Sequence, residues 1–419
     1  MTAFDWAFNI NSNWKIKNRF LWEQWDMNYF DIATGKLRPN NQLQNRFLIS
    51  GPANQETFAT NIDLLGNFEL LGMKHDVLIG GDFFHNGFNG FNENYTFGVL
   101  PPVDIFNPIH GVIDIASLSQ LPRDWNFMRK EEWFGIYFQD QITLWDKLHI
   151  LGGGRYDWAN DGSSYSDVSS DAAMANFKSV QNQKFSPRVG VVYQPQDWIS
   201  LYGNYTESLG SNNGLNNTGS VLAPEIGEQF EGGIKTEFFD KRLSSTIAYY
   251  HLVKNNIVTT DVNGFSVPIG GARSRGIEAD IKGRITDQIN LVATYAFTDA
   301  RVIKNNDGIL GKRLANVPEH QASLWGTYNF TDHFKMGLGG VAVGRKSGDP
   351  GYNPDVVLPG YVTMDAMVSY ALPVNKSRLT TQLNFYNLLD KDYYAGAYNR
   401  YHITTGTPLS VMGSLRYEF

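Results

Sequence analysis

Residues 87–97 read Gly-Phe-Asn-Gly-Phe-Asn-Glu-Asn-Tyr-Thr-Phe, with aromatic rings set among amides and a carboxylate. Rings offer rigid contact area at little rotamer cost, and amides and hydroxyls add orientation. Phe88, Phe91, Tyr95 and Phe97 therefore suit the recognition of a compact ligand better than the making of a bond. Other chemistry finds less support. The eight histidines are scattered, with no His-Glu-x-x-His or comparable metal spacing. His85, His110 and His402 fall on expected loops, where solvated side chains are the plain reading. Gly152-Gly153-Gly154 resembles a phosphate cradle, but no helix follows to supply the positive dipole end. Relief of crowding in a curved strand explains it better. No Ser/His/Asp grouping stands out, and the absence of cysteine removes thiol catalysis, thiolate metal sites and disulfides. An enzyme is not expected.

The elements that must position these rings are strands. From Phe419 backwards, Tyr417, Leu415, Gly413 and Val411 fall on one face, while Glu418, Arg416, Ser414, Met412 and Ser410 fall on the other. A strand alternates with period two, so one face is apolar and one is wetter. Residues 379–385, with Leu379, Leu383 and Phe385, supply the other arm of an antiparallel hairpin. An apolar face ending in aromatics fits a membrane barrel, whose outer face meets lipid between aromatic girdles.

Composition allows that reading. The chain has 419 residues, 14% aromatic, with 41 glycines and a formal net charge of −7. No run approaches the roughly 18 apolar residues of a spanning helix, and barrel strands escape hydropathy scans because they alternate. The negative charge argues against nucleic acid as a partner. Met1 is followed at once by strand-like sequence, Phe4-Asp5-Trp6-Ala7-Phe8, with no basic segment and apolar stretch of an export signal.

Turn-rich breaks alternate between short and long. The short ones lie at 11–13, 71–73, 145–147, 195–197, 239–241, 286–288, 331–333 and 373–377. The long ones lie near 28–56, 85–131, 160–184, 208–227, 259–272, 304–318, 345–360 and 395–407. Asp and Asn in the short breaks favour turns by bonding nearby backbone. Short turns on one rim and long loops on the other is the outer-membrane arrangement. Between the breaks lie about seventeen strands, among them 133–144, 147–158, 199–207, 228–238, 243–254, 275–284 and 289–301. In the last, Leu291, Ala293, Tyr295 and Phe297 would face lipid, with Val292, Thr294, Ala296 and Thr298 inside. Ile199, Leu201 and Tyr205 would likewise face out, and Ser200, Tyr202 and Asn204 in. Arg275, Glu278 and Arg284 are expected to line the lumen as a charged wall. An odd number of strands does not close neatly as an antiparallel meander. All of residues 1–419 are therefore expected to be one partial barrel domain, the C-terminal part of a larger one.

Ordered motifs carry a resemblance. Trp133-Phe134-Gly135-Ile136-Tyr137-Phe138-Gln139-Asp140-Gln141 is followed by Gly154-Arg155-Tyr156-Asp157-Trp158, Phe185-Ser186-Pro187-Arg188, and Leu201-Tyr202-Gly203-Asn204-Tyr205-Thr206-Glu207-Ser208. Then come Ala223-Pro224-Glu225, Arg273-Ser274-Arg275-Gly276-Ile277-Glu278, Asn316-Val317-Pro318-Glu319, Leu358-Pro359-Gly360-Tyr361 and Asn387-Leu388-Leu389-Asp390. In this order they resemble the TonB-dependent ferric siderophore receptors, particularly the ferrichrome-receptor-like branch. The resemblance implies an all-β fold, a transmembrane antiparallel 22-stranded barrel of which these residues match about the last seventeen strands, with an N-terminal plug in the lumen. The plug, its energy-coupling box and about five strands of the family pattern have no counterpart in these residues.

The resemblance also implies a function. It places the protein in the bacterial outer membrane as a monomer among lipid, taking up ferric siderophores with energy from TonB through the N-terminal region. The iron arrives already chelated, so no cofactor of the protein's own is implied. Tyr95 and Phe97 match an aromatic pair that touches the chelate in the family. Leu209 stands where ferrichrome receptors have an aromatic, and Thr404-Thr405-Gly406 where they have aromatics before a glycine. Both departures put ferrichrome itself in doubt, and Tyr398 and Tyr401 are candidates to replace the ring contacts. The competing readings are a receptor of the same architecture for cobalamin, heme or a glycan, and a passive porin-like barrel.

Overall fold

Seventeen strands follow one another in a single antiparallel meander, each hydrogen-bonded to its neighbours in the chain. In order they are β1 (Thr2–Asn9), β2 (Trp14–Ala33), β3 (Phe47–Leu70), β4 (Met73–Glu93), β5 (Trp125–Leu144), β6 (Leu148–Ser166), β7 (Lys178–Gln196), β8 (Ile199–Gly210) and β9 (Glu225–Phe238). They continue as β10 (Leu243–Thr260), β11 (Ser266–Arg284), β12 (Ile289–Lys304), β13 (His320–Asn329), β14 (Phe334–Val343), β15 (Tyr361–Val374), β16 (Ser377–Tyr386) and β17 (Ser410–Glu418). The computed structural model describes residues 1–33, 36–44, 47–93, 96–97, 100–109, 125–210, 222–260, 266–305, 308–351, 355–400 and 402–419. β1 and β17 each pair on one side, and the sheet is not closed.

The alternation read from sequence fixes the two faces. Register places Phe4 opposite Phe20, Ile62 opposite Gly81, Ile79 opposite Phe138, and Ile136 opposite Tyr156. Farther round, Ile234 lies opposite Ile247, Ile277 opposite Phe297, Leu383 opposite Gly413 and Phe385 opposite Val411. This face carries exposed large apolar residues such as Phe138, Ile247 and Leu324. The intervening positions hold Arg19, Asn61, Asp82 and Arg155, the wet face that a lumen requires.

Successive connections of a meander necessarily fall on opposite rims. One rim carries tight turns whose chemistry is local. Asn11 Oδ1 accepts from the backbone N–H groups of Asn13 and Trp14, each at 2.9 Å. Thr286 and Thr331 hydroxyls accept from Ile289 and Phe334 N–H, each at 3.0 Å. Leu71 and Gly72 have positive φ at both residues of a two-residue hairpin loop, and Trp145 and Asp146 at the first two of the three residues between Leu144 and Leu148. On this rim Lys74 and Asp146 pair at 2.7 Å, and the ammonium holds the Asp146 carboxyl below its ordinary range.

The opposite rim differs from expectation in one respect. β2, β3, β4 and β5 run through much of the stretches read as long loops, and β3 alone has 24 residues. A tilted strand crosses the hydrocarbon core in about 9–11 residues. Beyond that core the backbone ladder persists while outward side chains become polar: the rung Trp22, Phe58, His85, Glu132 and Asn160 is mixed, and the next, Gln24, Glu56, Gly87, Lys130 and Gly162, carries no apolar side chain. His85 thus lies within a strand, with Nδ1 3.4 Å from Glu132. Among the described residues a short helix, α1 (Ser170–Ala175), caps this rim between β6 and β7. The hydroxyl of Ser169 accepts from Ala172 N–H at its start.

The charged wall is also corrected at one position. Arg275 shares the outward register of Ile277, opposite in parity to Glu278, and does not line the lumen. With Arg273 and Arg301 it converges on Asp299, at 3.2, 3.3 and 2.6 Å respectively.

Candidate ligand-binding mouth and lumen

The lumen faces of β4 and β5 form a column. Register sets Phe88 opposite Arg129, Asn86 opposite Glu131, Phe84 opposite Trp133, Asp82 opposite Gly135 and Gly80 opposite Tyr137. All share one parity, so all face inward.

At the long-loop end of the column, three rings from three strands meet. Phe88 lies between Trp25 of β2 and Phe127 of β5, with ring centroids 6.5 and 6.3 Å apart. Both separations fall within the range of favourable aromatic pairs. Below them Asn86 donates to Glu131 at 3.1 Å, and Arg129 pairs with the same buried carboxylate. One rung lower, Trp133 Nε1 donates to Asp161 at 2.8 Å.

The column ends on a guanidinium held by two carboxylates. Arg155 grips Asp82 with both terminal nitrogens, the Nη2–Oδ1 arm at 2.8 Å, and its Nε donates to Asp157 at 2.6 Å. The Tyr137 ring centroid lies 5.6 Å from the same guanidinium, and the Tyr137 hydroxyl donates to Asp63. Bidentate pairing fixes orientation as well as charge. Gly135 makes this possible, because a Cβ there would lie 2.0 Å from Arg155 Nη2. Gly135→Val should therefore expel the guanidinium from Asp82. The expected loss is about 1–3 kcal/mol for charged groups left without full partners, read as a lower urea midpoint of the refolded barrel. An unchanged midpoint would show that Arg155 has another way to be satisfied.

The inward face of these strands bounds an open cavity of about 1070 Å³, lined also by Arg19, Leu21, Phe84, Arg188 and Leu209. Leu209 is thus brought to the same cavity as Trp133, Tyr137 and Arg155. Phe88 is the centre of the ring trio above. Phe91 and Phe97 belong to β4 and to a short strand, Thr96–Phe97, that pairs with Phe47–Leu48; the placement of their side chains lies outside the description. Tyr95 and Tyr401 lie outside the described residues. Tyr398 is 87% exposed on a separate hairpin, Tyr394–Asn399 with His402–Thr405, and no described contact joins it to Phe88.

Sequence reasoning missed Trp25, Phe127, Asp82 and Arg155. Parity was the usable signal, because Phe88, Phe84 and Asp82 alternate in step. It is masked where residues 85–131, rich in Gly, Asn and Pro, read as a loop. Gly153 and Gly154 behave as expected of crowding relief: a Cβ would meet the Phe138 carbonyl oxygen at 2.4 Å in the first case and the Phe185 ring at 2.3 Å in the second.

Residues 1–388 match the family described as TonB dependent receptor-like, beta-barrel. The metal-pseudopaline receptor CntO of Pseudomonas aeruginosa is 30% identical over 373 residues, covering 86% of this chain and 51% of that protein. The ferrichrome outer membrane transporter/phage receptor of Escherichia coli is 30% identical over 377 residues, covering 87% and 48%. The chain therefore spans about half the length of these curated relatives. Among solved structures, the siderophore receptor PiuA from Acinetobacter baumannii superposes with a TM-score of 0.83 at 23% identity, covering 99% of this chain and 63% of that one.

Proposed function

Since the chain belongs to the TonB-dependent receptor-like β-barrel family, and so to the outer membrane, we propose that it is the ligand-recognising wall of a receptor for ferric siderophores. The observation that carries this reading is the ring trio of Trp25, Phe88 and Phe127 above a cavity lined by rings and charged groups. A ferric chelate presents organic faces to rings and heteroatoms to amides and guanidinium groups, and its metal is already coordinated. The wall need only bind and orient, so neither catalysis nor a cofactor of its own enters the mechanism.

Passage would follow from the rest of the longer protein. Binding at the mouth is read by a lumen-filling N-terminal region, and that region couples to TonB. The barrel acts as a monomer seated in lipid through its outward apolar face. Within this frame Tyr95, Phe97, Phe91, Tyr398, Tyr401 and Leu209 remain candidate contacts beside Phe88. Similarity to the metal-pseudopaline receptor of Pseudomonas aeruginosa favours one second reading, a chelate carrying another metal.

The test is binding to the full-length protein in detergent or bilayer. Ferric hydroxamates, ferric catecholates, heme, cobalamin and an oligosaccharide are compared by quenching of intrinsic fluorescence. Saturable binding of a ferric siderophore is expected. Binding confined to heme, cobalamin or the glycan would refute the reading. Tyr95→Ala with Phe97→Ala should weaken chelate affinity by about tenfold or more, as loss of two ring anchors does, while barrel assembly stays normal. Unchanged affinity would remove that pair from the site.

A further inference from the structure

Three long connections on the loop rim are tied together through one asparagine. Asn316, between β12 and β13, donates from its side-chain amide to Ala397 O at 2.7 Å and accepts from Ala397 N–H at 2.8 Å. Its carboxamide thereby does for the Tyr394–Asn399 strand what a neighbouring strand's backbone would do. The Asn316 backbone N–H meanwhile donates to Ser347 O at 2.7 Å, in the connection between β14 and β15. Asn316 has a φ of 61°, a left-handed conformation that glycine and asparagine tolerate best. Asparagine is the residue that combines this backbone with an amide of that reach. The Tyr394–Asn399 strand leaves room for it at Gly396, where a Cβ would come within 3.3 Å of Asn316 Oδ1.

A second tie runs from the middle connection. Lys346 is buried, and its ammonium donates to Ala395 O at 2.6 Å. Burial lowers its affinity for the proton, so this is a costly place for a lysine unless the bond matters. Asp349 accepts from Arg400 N–H at 3.1 Å, closing the same junction.

We infer that Asn316 and Lys346 are positioning residues that clasp these three connections into one rigid lip, which holds the Tyr398 hairpin in place at the mouth. The inference extends the receptor reading, because it gives Asn316 of the Asn-Val-Pro motif a role in ligand capture without contact to the ligand. A hairpin held in its binding pose costs the ligand nothing to order. One that occupies the pose a fifth of the time raises the apparent Kd about fivefold.

The experiment uses the full-length protein in bilayer nanodiscs, with nitroxides on Leu310→Cys and Tyr398→Cys, both exposed positions in a chain region free of native cysteine. Their distance distribution is compared in three backgrounds: parent, Asn316→Gly and Lys346→Met. The glycine keeps the left-handed backbone and removes the carboxamide; the methionine keeps the stem and removes the ammonium. One narrow distance is expected in the parent and a distribution at least twice as wide in each variant. Equal widths in all three overturn the clasp. If Asn316→Gly does not assemble, Lys346→Met alone decides. A separate titration with a ferric siderophore, Tyr398 intact, should show Kd raised about fivefold in the variants. If Tyr398→Ala leaves affinity unchanged while the widths differ, the hairpin's ligand role falls and the clasp stands.

Discussion

Arg155→Met is expected to destabilise the barrel by about 3 kcal/mol, the low end of the scale seen when one member of a buried ion pair is removed, because Arg155 and Asp82 are partly accessible and only Asp157 is buried. Methionine keeps most of the volume, so the loss is electrostatic. The side chain of Asp157 is 5% accessible and would be left with no cation beside it. Asp82 would lose both arms of its bidentate partner, and Tyr137 the cation over its ring. Unfolding in urea should show a midpoint well below that of the parent. Adding Asp82→Asn and Asp157→Asn to Arg155→Met should recover much of the loss, because the triple variant buries no unpaired charge. A single variant as stable as the parent would mean that water or another cation already compensates these carboxylates.

Leu324→Arg is expected to cost about 2–4 kcal/mol, the penalty for a cation on the lipid face near the bilayer midplane. Leu324 is 53% exposed on the outward face of β13, opposite Ala293 and Gly340. Its neighbour Ser323 faces inward and shares a 2.7 Å hydroxyl contact with Thr294. Ser323→Arg at the same depth should change stability by less than about 1 kcal/mol, since lumen positions tolerate charge. Equal costs for the two would contradict the assignment of faces.

Legibility in the sequence followed water. Where one face of a strand meets lipid and the other a wet lumen, hydrophobicity alternates, and the register sets Leu291, Ala293, Tyr295 and Phe297 in step with Ile277 and Leu324, and Val292, Thr294, Ala296 and Thr298 in step with Glu278 and Ser323. The tight turns were legible because Asn11, Thr286 and Thr331 do their work within three residues. Above the bilayer the outward face of β2 to β5 turns polar while the inward face mixes rings such as Trp25 and Phe88 with polar groups, so the ladder continues with no clean alternation to betray it and those lengths read as loops. The ring trio sits in that zone, which explains why Phe88 was named for its type while Trp25 and Phe127 were not. Arg155 lay inside a recognised motif, yet its partner Asp82 is 73 residues away, and only register brings them together. Arg275 and Glu278 look alike as charges in one motif, but they lie three residues apart and so on opposite faces.

The division of faces along β12 can be measured directly. Single nitroxides at each position from 291 to 298, in the full-length protein in a lipid bilayer, report contact with oxygen dissolved in the hydrocarbon. High oxygen collision rates at Leu291, Ala293, Tyr295 and Phe297, alternating with low rates at Val292, Thr294, Ala296 and Thr298, are what a lipid-girdled wall predicts. Uniformly low rates along all eight positions would place this strand in a packed, water-soluble core and contradict the barrel itself.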